Sequence, residues 1–396
     1  MNKKKNLLFV LNNLTVGGAE KSLVSLLQVL DYSKYNVDLQ LFKNEGMFLF
    51  QLPNEVNLLP EPENYQYFDM PFFKMLKETL KKGKWSVALQ RIKYYLSTKK
   101  ASSNSEREQF GWKPLSKTLQ PLKKQYDVAI GYLEKNPNYF VVDKVQAYRK
   151  IGYVMNDYEQ LQMNVAFDTP YFAKLDKIIE ESAQCYDTMC KLFPQYTSKM
   201  EVLPDILPAE KIRMSALEDI YDYPEGFSII SVGRLTYQKG YDISLLAIKK
   251  LIDKDYQVNW IILGDGEEKK NLLEQVEQFG LKKNIHFMGI KQNHYPYVRR
   301  ADIFLHAARF EGMGLVVTEA RILGKPIVLT SFNTASAHLT HMEGGIITEM
   351  NPRSLAEGLE TMINNTALRK SFSDHLLSKD YSQKDVIAKF YSLIGE

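Results

Sequence analysis

Short apolar runs of strand length alternate along the whole chain with longer stretches in which apolar residues recur every three or four positions. Apolar runs of four to eight residues are typical of buried parallel strands, and the periodic stretches are typical of helices that cover them. The alternation predicts an α/β fold with parallel sheets. The predicted strands are 6–11, 37–42, 127–132, 150–154, 177–179, 228–232, 259–263, 285–288, 303–306, 326–330 and 345–347, and helical patterns follow several of them, at 19–30, 240–252, 267–279 and 315–323. A polar cluster at 102–108 predicts an exposed loop.

Two prolines mark an interruption of this alternation. Pro204 and Pro208 lead into a polar stretch, 209–226, and the strand pattern then restarts. A chain of 396 residues also exceeds the roughly 250–300 residues at which a single core stops growing. We therefore expect two Rossmann-like domains, 1–205 and 206–380. An amphipathic pattern near the end predicts that the segment 381–396 forms a helix that returns to the first domain.

Composition excludes several classes of protein. With 45% hydrophobic and 25% charged residues, the chain has the proportions of an ordinary globular protein. Two cysteines, Cys185 and Cys190, are too few for a disulfide framework, which favours a reducing compartment. The apolar run at 7–11 is too short for a signal sequence, and no run approaches the roughly 18–20 apolar residues of a membrane span. We expect a cytoplasmic protein.

The net charge of +4 conceals a local excess of basic residues. Between residues 74 and 124 there are 14 basic side chains and three acidic ones, and aromatic and aliphatic residues alternate with lysine at helical spacing in 71–77 and 85–95. This pattern is typical of a helix at an anionic membrane surface, and also of a solvated basic helix. Both readings of residues 71–124 stay open. No nucleic-acid recognition motif accompanies the charge, so we expect no nucleic-acid partner.

Three motifs carry candidate chemistry, and the first is Gly17-Gly18-Ala19-Glu20, between the first strand and the first helix. Glycines there let the backbone approach a ligand, and the free amides at a helix start attract anions. The alternative is a tight turn that needs glycine for its own geometry. The spacing does not match G-x-G-x-x-G, so a nicotinamide or flavin site is not supported.

The second motif is the loop after the strand 228–232. It places Arg234 and Lys239 five residues apart, ahead of the next helix. Two cations at the carboxyl end of a parallel strand can clamp a pyrophosphate, the arginine by bidentate contacts and the lysine as a point charge. The alternative is a pair of exposed surface cations.

The third motif is the segment 310–320, after the strand 303–306. Glu311 precedes a predicted helix start, the amides of 312–315 can meet an anion, and Glu319 lies in the second turn. Phosphate at the amides and sugar hydroxyls at the carboxylates would use each of these features. The alternative is a loop acid and a solvated helix residue.

No metal site is expected. Asp253-Lys254-Asp255 spells a carboxylate pair, but it ends a predicted helix and is best read as a solvated turn. His338 and His341 have no evident third ligand. His306 ends an apolar strand and is read as a core histidine that could line the site.

Together these residues resemble the glycosyl transferase group 1 family, also called family-4 glycosyltransferases. The resemblance is specific in the second half, at 232–240 (VGRL..QKG), 264–268 (GDGEE), 287–289 (F.G), 311–319 and 323–328 (LGKPIV), and looser in the first, where it depends on GGAE and strand order. It implies the GT-B architecture, α/β with two Rossmann-like domains whose parallel sheets face an interdomain cleft.

The resemblance also implies roles for the matching residues. Arg234 and Lys239 would hold the diphosphate and Glu311 the donor sugar, which makes these three the candidates for the catalytic centre. Glu319 would bind the ribose hydroxyls. The other candidates for donor binding are Gly17 and Gly18 from the opposite domain, Gly289 and Ile290 near the base, and Gly312, Met313, Gly314 and Leu315 at the helix start.

One departure from the family affects the acceptor side. After the strand 150–154 the family commonly has a histidine near the sugar, in a W-I-H-N-D pattern, whereas this chain reads Met155-Asn156-Asp157. All six histidines lie at or beyond His286. We therefore take Met155, Asn156 and Asp157 as the acceptor-side candidates, with Asn156 or Asp157 able to replace the missing imidazole.

The sequence as a whole predicts a metal-independent retaining glycosyltransferase without a cofactor. It would move a hexose or N-acetylhexosamine from a nucleoside-diphosphate sugar, favoured as UDP, to a hydroxyl of a lipid-linked glycan in cell-surface polysaccharide (capsule or exopolysaccharide) biosynthesis. It would work in the cytoplasm, on or near the inner face of the membrane. The alternatives are a nucleotide-sugar-binding protein with reduced catalysis, and a sugar-nucleotide hydrolase or epimerase on the same fold.

Overall fold

A computed structural model describes residues 4–15, 17–311 and 314–395 of the chain. The chain divides into two compact units, of which the first is Met1–Ile206 with Lys384–Glu396 and the second is Leu207–Gln383. Each unit contains one parallel sheet with helices on both of its faces. The predicted fold class, α/β with two Rossmann-like units, is confirmed.

The first unit is built on a sheet that has, within the described residues, seven strands in the order β3-β2-β1-β4-β5-β6-β7. Its strands are β1 (Lys5–Leu11), β2 (Tyr35–Leu41), β3 (Val56–Leu58), β4 (Gln125–Gly131), β5 (Gln146–Val154), β6 (Lys177–Glu180) and β7 (Met200–Val202). Its helices are α1 (Gly18–Val29), α2 (Gln66–Asp69), α3 (Phe72–Lys81), α4 (Trp85–Thr98), α5 (Asn104–Ser116), α6 (Asn136–Lys144), α7 (Val165–Phe172) and α8 (Ala183–Leu192). Short 3-10 turns lie at Leu49–Gln51 and Pro194–Lys199.

The interior strand β1 is apolar at every position from Leu7 to Leu11 because both of its faces are covered. Leu8 and Val10 point into one hydrophobic cluster, whereas Leu7, Phe9 and Leu11 point into another on the opposite face. Successive side chains of a strand alternate between faces, so a strand covered on both sides is apolar at every position.

The second unit has a sheet whose strands, counted in the part of the chain that is described, number six in the order β10-β9-β8-β11-β12-β13. The strands are β8 (Ser228–Val232), β9 (Asn259–Leu263), β10 (Ile285–Gly289), β11 (Ile303–His306), β12 (Ile327–Thr330) and β13 (Gly345–Thr348). The helices are α9 (Ala209–Ser215), α10 (Tyr241–Ile252), α11 (Lys269–Gln278), α12 (Tyr295–Arg300), α13 (Leu315–Ile322), α14 (Ala335–His338), α15 (Pro352–Asn364) and α16 (Thr366–Leu377). A 3-10 turn, Tyr237–Lys239, precedes α10.

The last helix, α17 (Lys384–Leu393), packs on the first unit. Phe390 and Leu393 are buried in the cluster that covers one face of that sheet. The ring of Tyr391 stacks on Tyr35 of β2 with centroids 5.9 Å apart, and the guanidinium of Arg149 donates to the Leu393 carbonyl at 2.7 Å. Apolar packing and one capped carbonyl therefore hold the helix on this sheet.

The predicted loop at 102–108 is wrong, because most of it forms the first turns of α5. Ser103 caps the helix by accepting a hydrogen bond from the Glu106 amide at 3.0 Å. The Glu106 carboxylate in turn accepts from the amide and hydroxyl of Ser102 at 2.7 and 2.6 Å. These reciprocal bonds satisfy amides that a helix start leaves open, so a polar sequence here begins a helix.

Candidate functional site in the second unit

Strand order defines one special place in the second unit, the carboxyl edge between β8 and β11. From β8 the chain crosses by α10 to β9 on one side, whereas from β11 it crosses by α13 to β12 on the other side. The two following loops diverge at such a switch point, and open parallel sheets commonly bind ligands there. The second and third sequence motifs are these two loops.

The backbones of the two loops approach each other closely at Gly240. This residue has φ of 62°, and an added Cβ would lie 2.0 Å from the carbonyl oxygen of Ala307. The Arg309 amide donates to the Gln238 carbonyl at 2.7 Å, and the Gln238 side chain donates to the Phe310 carbonyl at 3.0 Å. Glycine is required at this position because any side chain would push the loops apart.

Arg309 fastens the same two loops from outside. Its guanidinium donates to both carboxylate oxygens of Asp242 in α10, at 2.9 and 2.6 Å. It also lies over the Tyr237 ring, 3.9 Å from the centroid. Bidentate pairing and stacking fix the position of the 3-10 turn that carries Lys239.

Lys239 and Glu311 form a buried ion pair across the two loops. The Lys239 ammonium donates to Oε1 of Glu311, and Nε2 of His306, at the end of β11, lies 3.0 Å from the same oxygen. The Glu311 amide donates to Asn333 at 3.3 Å, and the Thr334 hydroxyl donates to the Glu311 carbonyl at 3.3 Å. Lys239 and His306 therefore hold the Glu311 carboxylate, and the loop after β12 holds the Glu311 backbone.

The electrostatics of this cluster follow from its burial. Burial by itself would raise the pKa of Glu311. The Lys239 charge and the His306 hydrogen bond lower the pKa by more than burial raises it, to about 2. Burial lowers the pKa of His306, and the Lys239 charge lowers it as well. Glu311 raises this pKa, but by less than burial lowers it. At neutral pH the cluster thus holds one ammonium, one carboxylate and one neutral imidazole that donates from Nε2.

Arg234 differs from Lys239 in its surroundings. Its side chain is exposed, and no other described residue forms a hydrogen bond or ion pair with it. It directly follows Gly233, whose amide donates to the Leu263 carbonyl of β9 at 3.0 Å. The predicted pair therefore consists of one cation held in place by a carboxylate and one cation open to an incoming anion.

Glu319 is buried between α13 and α12. Its Oε1 accepts from the Tyr295 hydroxyl at 3.0 Å, and its Oε2 lies 2.7 Å from Nε2 of His294. Burial raises the pKa of Tyr295 well above its ordinary value, and the Glu319 charge raises it further, so this phenol remains a donor. The Glu319 carboxylate is thus held by two side chains at the start of α12.

Four other donor-side candidates lie at the same edge of this sheet: Gly289, Ile290, Gly314 and Leu315. Gly314 has φ of 55° and precedes α13, and Leu315 is buried at its first position. Gly289 ends β10 with φ of 69° and with no atom within 4 Å of an added Cβ, and Ile290 beside it is exposed. Gly312 and Met313 lie outside the described residues.

The first unit holds the other predicted residues, at the carboxyl ends of β1 and β5. Gly17 is extended and precedes α1, and no atom lies within 4 Å of a Cβ added at Gly18. Met155 is buried, and its amide donates to Glu134 at 3.0 Å. Asn156 donates to the other oxygen of Glu134 at 2.8 Å.

Asp157 is the third acceptor-side candidate, and it begins a turn. Its carboxylate accepts from the amides of Glu159 and Gln160, each at 3.1 Å. The side chains of Asn156 and Asp157 and the backbone of Met155 are thus held by hydrogen bonds, and the role of these three residues toward an acceptor stays a prediction.

Arg309, His294 and Tyr295 are not predicted as site residues from the sequence, and His306 is predicted only as a core histidine that could line the site. His306 was read as a core histidine, and it is buried, but it also bonds the central carboxylate. Its position at the end of a predicted strand, five residues before Glu311, was the available signal. The other three are ordinary polar residues in the sequence, and only their contacts identify them.

Two Rossmann-like units, each built on one parallel sheet and one of them with a charged site at its switch point, define an α/β fold of the doubly wound class. Within that class, residues 221–375 match the family model described as glycosyl transferases group 1. The resemblance predicted from the motifs is confirmed for this part of the chain.

Relatives with curated names match part of the chain. The N-acetylgalactosamine-N,N'-diacetylbacillosaminyl-diphospho-undecaprenol 4-alpha-N-acetylgalactosaminyltransferase of Campylobacter jejuni is 28% identical over 226 residues, which are 57% of this chain and 60% of that protein. The amylovoran biosynthesis glycosyltransferase AmsD of Erwinia amylovora is 28% identical over 171 residues, which are 42% of this chain and 48% of that protein. The match thus spans about half to 60% of these relatives.

Solved structures are similar over almost the whole chain. HepE of Anabaena, in complex with UDP and glucose, has a TM-score of 0.69 at 15% identity and covers 98% of both chains. At this identity the likeness shows the fold alone, which is the GT-B fold.

Proposed function

We propose that the protein is a retaining glycosyltransferase that moves a hexose or N-acetylhexosamine from a UDP-sugar to a hydroxyl of a lipid-linked glycan in cell-surface polysaccharide biosynthesis. Three observations support the proposal: the family match of residues 221–375, a relative named for transfer to a diphospho-undecaprenol glycan, and a similar fold solved with UDP and glucose. The single feature of the chain that carries it is the buried Lys239–Glu311 pair at the switch point.

The cations and the start of α13 would act on the leaving diphosphate. When the bond from the anomeric carbon to the diphosphate oxygen breaks, that oxygen keeps the electron pair and its negative charge grows. Exposed Arg234, the Lys239 ammonium and the first amides of α13 are suited to stabilise this charge. Of the two cations, Lys239 is already held in place by Glu311.

The acceptor oxygen forms its bond on the same face of the anomeric carbon, and its proton passes to the departing phosphate oxygen. This route needs no histidine from the first unit, which is consistent with Met155 in the position of the family's histidine. Glu311, with one oxygen shared by Lys239 and His306, can still accept from a sugar hydroxyl. Glu319 would accept from the ribose.

Metal independence and the absence of a cofactor remain part of the proposal. In residues 4–15, 17–311 and 314–395, no group of three or more His, Cys, Asp or Glu side chains could hold a metal ion. The fixed cations supply the charge that a metal ion supplies in other sites. We also propose work at the cytoplasmic face of the membrane, where a lipid-linked acceptor would be reached.

The test combines donor binding with transfer. Thermal stabilisation by UDP-, GDP-, ADP- and dTDP-sugars identifies the base, because a ligand that binds only the folded state raises the unfolding temperature. In Lys239→Ala and Glu319→Gln, at least about ten times more of the best donor should be needed to give the same rise in unfolding temperature. The matched control is Lys249→Ala, which removes an exposed ion pair with Asp253 at the end of α10 and should change nothing.

Transfer is measured with the isotope-labelled donor and a lipid extract as acceptor. We expect labelled lipid whose new linkage keeps the donor's anomeric configuration. Normal binding and transfer in both site variants would contradict the site assignment. Binding without consumption of donor would instead support the nucleotide-sugar-binding protein, and consumption without any acceptor would support the hydrolase or epimerase.

A further inference from the structure

Helix α4 of the first unit is apolar on two opposite faces. Its inner face is closed: Val87 and Ala88 are buried, and Tyr94 packs edge-on against Phe68 with ring centroids 5.5 Å apart. A Cβ added to Gly111 of α5 would lie 2.4 Å from the Tyr94 ring, so the two helices are in tight contact. The inner face therefore accounts for only part of the apolar surface of α4.

The outer face of α4 carries a second apolar stripe that the described part of the chain leaves exposed. Trp85, Leu89, Ile92 and Leu96 follow the helical spacing i, i+4, i+7 and i+11 and are between 38% and 68% exposed. Phe73 of the preceding helix α3, 84% exposed, adjoins this stripe through Phe72 and Tyr95. Single exposed apolar residues are common, but an ordered stripe of large side chains indicates a surface that something covers.

Lysines are abundant around this stripe, and among the described residues six of them have no carboxylate partner. Residues 71–100 contain nine basic side chains and one acidic one. Lys77 and Lys81 follow Phe73 at one and two helical turns, and both are exposed. Among the residues that the structure describes, no carboxylate pairs with the lysines at 74, 77, 81, 93, 99 and 100. The surface is thus at once apolar and strongly positive.

We propose that this face of α3 and α4, which we call the lysine–aromatic face and which comprises Phe73, Lys77, Lys81, Trp85, Leu89, Ile92 and Leu96, docks on an anionic lipid surface. The apolar side chains would enter the boundary between headgroups and acyl chains, and the ammonium groups would meet lipid phosphates. The proposal deepens the proposed function, since it would bring the chain to a lipid-linked acceptor, but the docking itself needs no donor.

A lipid occupant fits this composition better than a protein does. Lysine is depleted in the buried core of protein interfaces, because its ammonium is costly to desolvate. At a bilayer boundary the long lysine stem lies along apolar surface while its head remains in water among phosphates. Tryptophan is also favoured at that boundary, where its ring is apolar and its N–H stays hydrated.

The experiment is flotation of the purified full-length chain with vesicles of phosphatidylcholine alone, or with about a third of phosphatidylglycerol. We expect binding to the anionic vesicles that falls as salt is raised, and little binding to the neutral ones. The variants Trp85→Ser/Leu89→Ser/Leu96→Ser and Lys74→Glu/Lys77→Glu/Lys81→Glu should each lower binding at least about tenfold. The matched control, Met214→Ser/Leu217→Ser, replaces side chains that are 72% and 64% exposed in the second unit and should bind normally.

Two results would overturn the proposal. The first is unchanged anionic binding in both site variants, each checked for an unaltered unfolding temperature. The second is a wild-type dimer by light scattering that becomes a monomer in the serine variant without vesicles, which would make a second copy of the chain the occupant. Thermal stabilisation by UDP, measured in every variant, separates the two proposals. A variant that still binds UDP but no longer floats with vesicles has lost docking alone. A wild-type chain that floats but does not bind UDP would contradict the proposed function and leave the docking proposal intact.

Discussion

Replacing Glu311 by glutamine should destabilise the second unit by an amount that the structure lets us work out. Glu311 is buried beside the Lys239 ammonium and the His306 imidazole, and its pKa is lowered from 4.5 to about 2. A difference of that size corresponds to about 3 kcal/mol in favour of the charged form, and breaking a buried ion pair costs about 3–5 kcal/mol. In a unit of this length, about 3 kcal/mol lowers the unfolding temperature by about 6–12 °C.

The pH dependence gives the same reasoning a second test. Because the pKa of Glu311 is lowered in the folded chain, its contribution is complete above the ordinary value of 4.5 and is lost as pH falls towards about 2. The difference in unfolding temperature between wild type and Glu311→Gln should therefore be full at pH 6 and clearly smaller at pH 3. Pulsed hydrogen exchange on peptides from β8 and β11, read by mass spectrometry along a temperature series, follows this unit alone.

The control is Glu357→Gln, which removes an exposed pair with Arg353 in α15. Exposed pairs of this kind contribute about 0–1 kcal/mol, so its unfolding temperature should stay close to that of the wild type. The buried ion pair does not stabilise the site as we describe if Glu311→Gln has the same unfolding temperature as this control. The same conclusion follows if the difference in unfolding temperature between Glu311→Gln and wild type is equal at pH 3 and pH 6.

Three further changes test other parts of the account. Gly240→Ala should lower the unfolding temperature of the second unit by at least about 4 °C in calorimetry, because φ of 62° and the Ala307 carbonyl both oppose a side chain; an unaffected transition would contradict the close approach of the loops. Arg309→Lys should weaken UDP binding about tenfold in titration calorimetry, because lysine cannot pair bidentately with Asp242, and equal affinity would show that this clamp is unnecessary. Ser103→Ala should lower the free energy of unfolding of the first unit by about 1 kcal/mol in urea, and an unchanged value would show that the Ser103 cap does not stabilise α5.

The fold was predictable because its strands are buried on both faces. The eleven apolar runs all appear as strands, with ends that shift by at most four residues. Two short strands, Val56–Leu58 and Met200–Val202, were missed. Each lies at an edge of the sheet and spans only three residues, so neither produces the continuous apolar run by which the others were recognised.

The charged residues of the candidate site can be selected from the sequence, but their pairing cannot. Arg234, Lys239 and Glu311 were found because they stand in glycine-containing loops after strands. The bond between Lys239 and Glu311 joins residues 72 positions apart, and it exists because β8 and β11 are neighbours in the sheet. No local pattern contains that information, which is also why the supporting contacts of His306 and Arg309 went unassigned.

The central claim is that the loops after β8 and β11 bind a nucleoside diphosphate, and hydrogen exchange in the presence of UDP tests it most directly. We predict slower exchange in residues 233–240 and at the start of α13, with no change in strands β2 and β3 of the first unit, and loss of this protection in Lys239→Ala. Protection that leaves both loops unchanged, or that persists in full in Lys239→Ala, would contradict the claim.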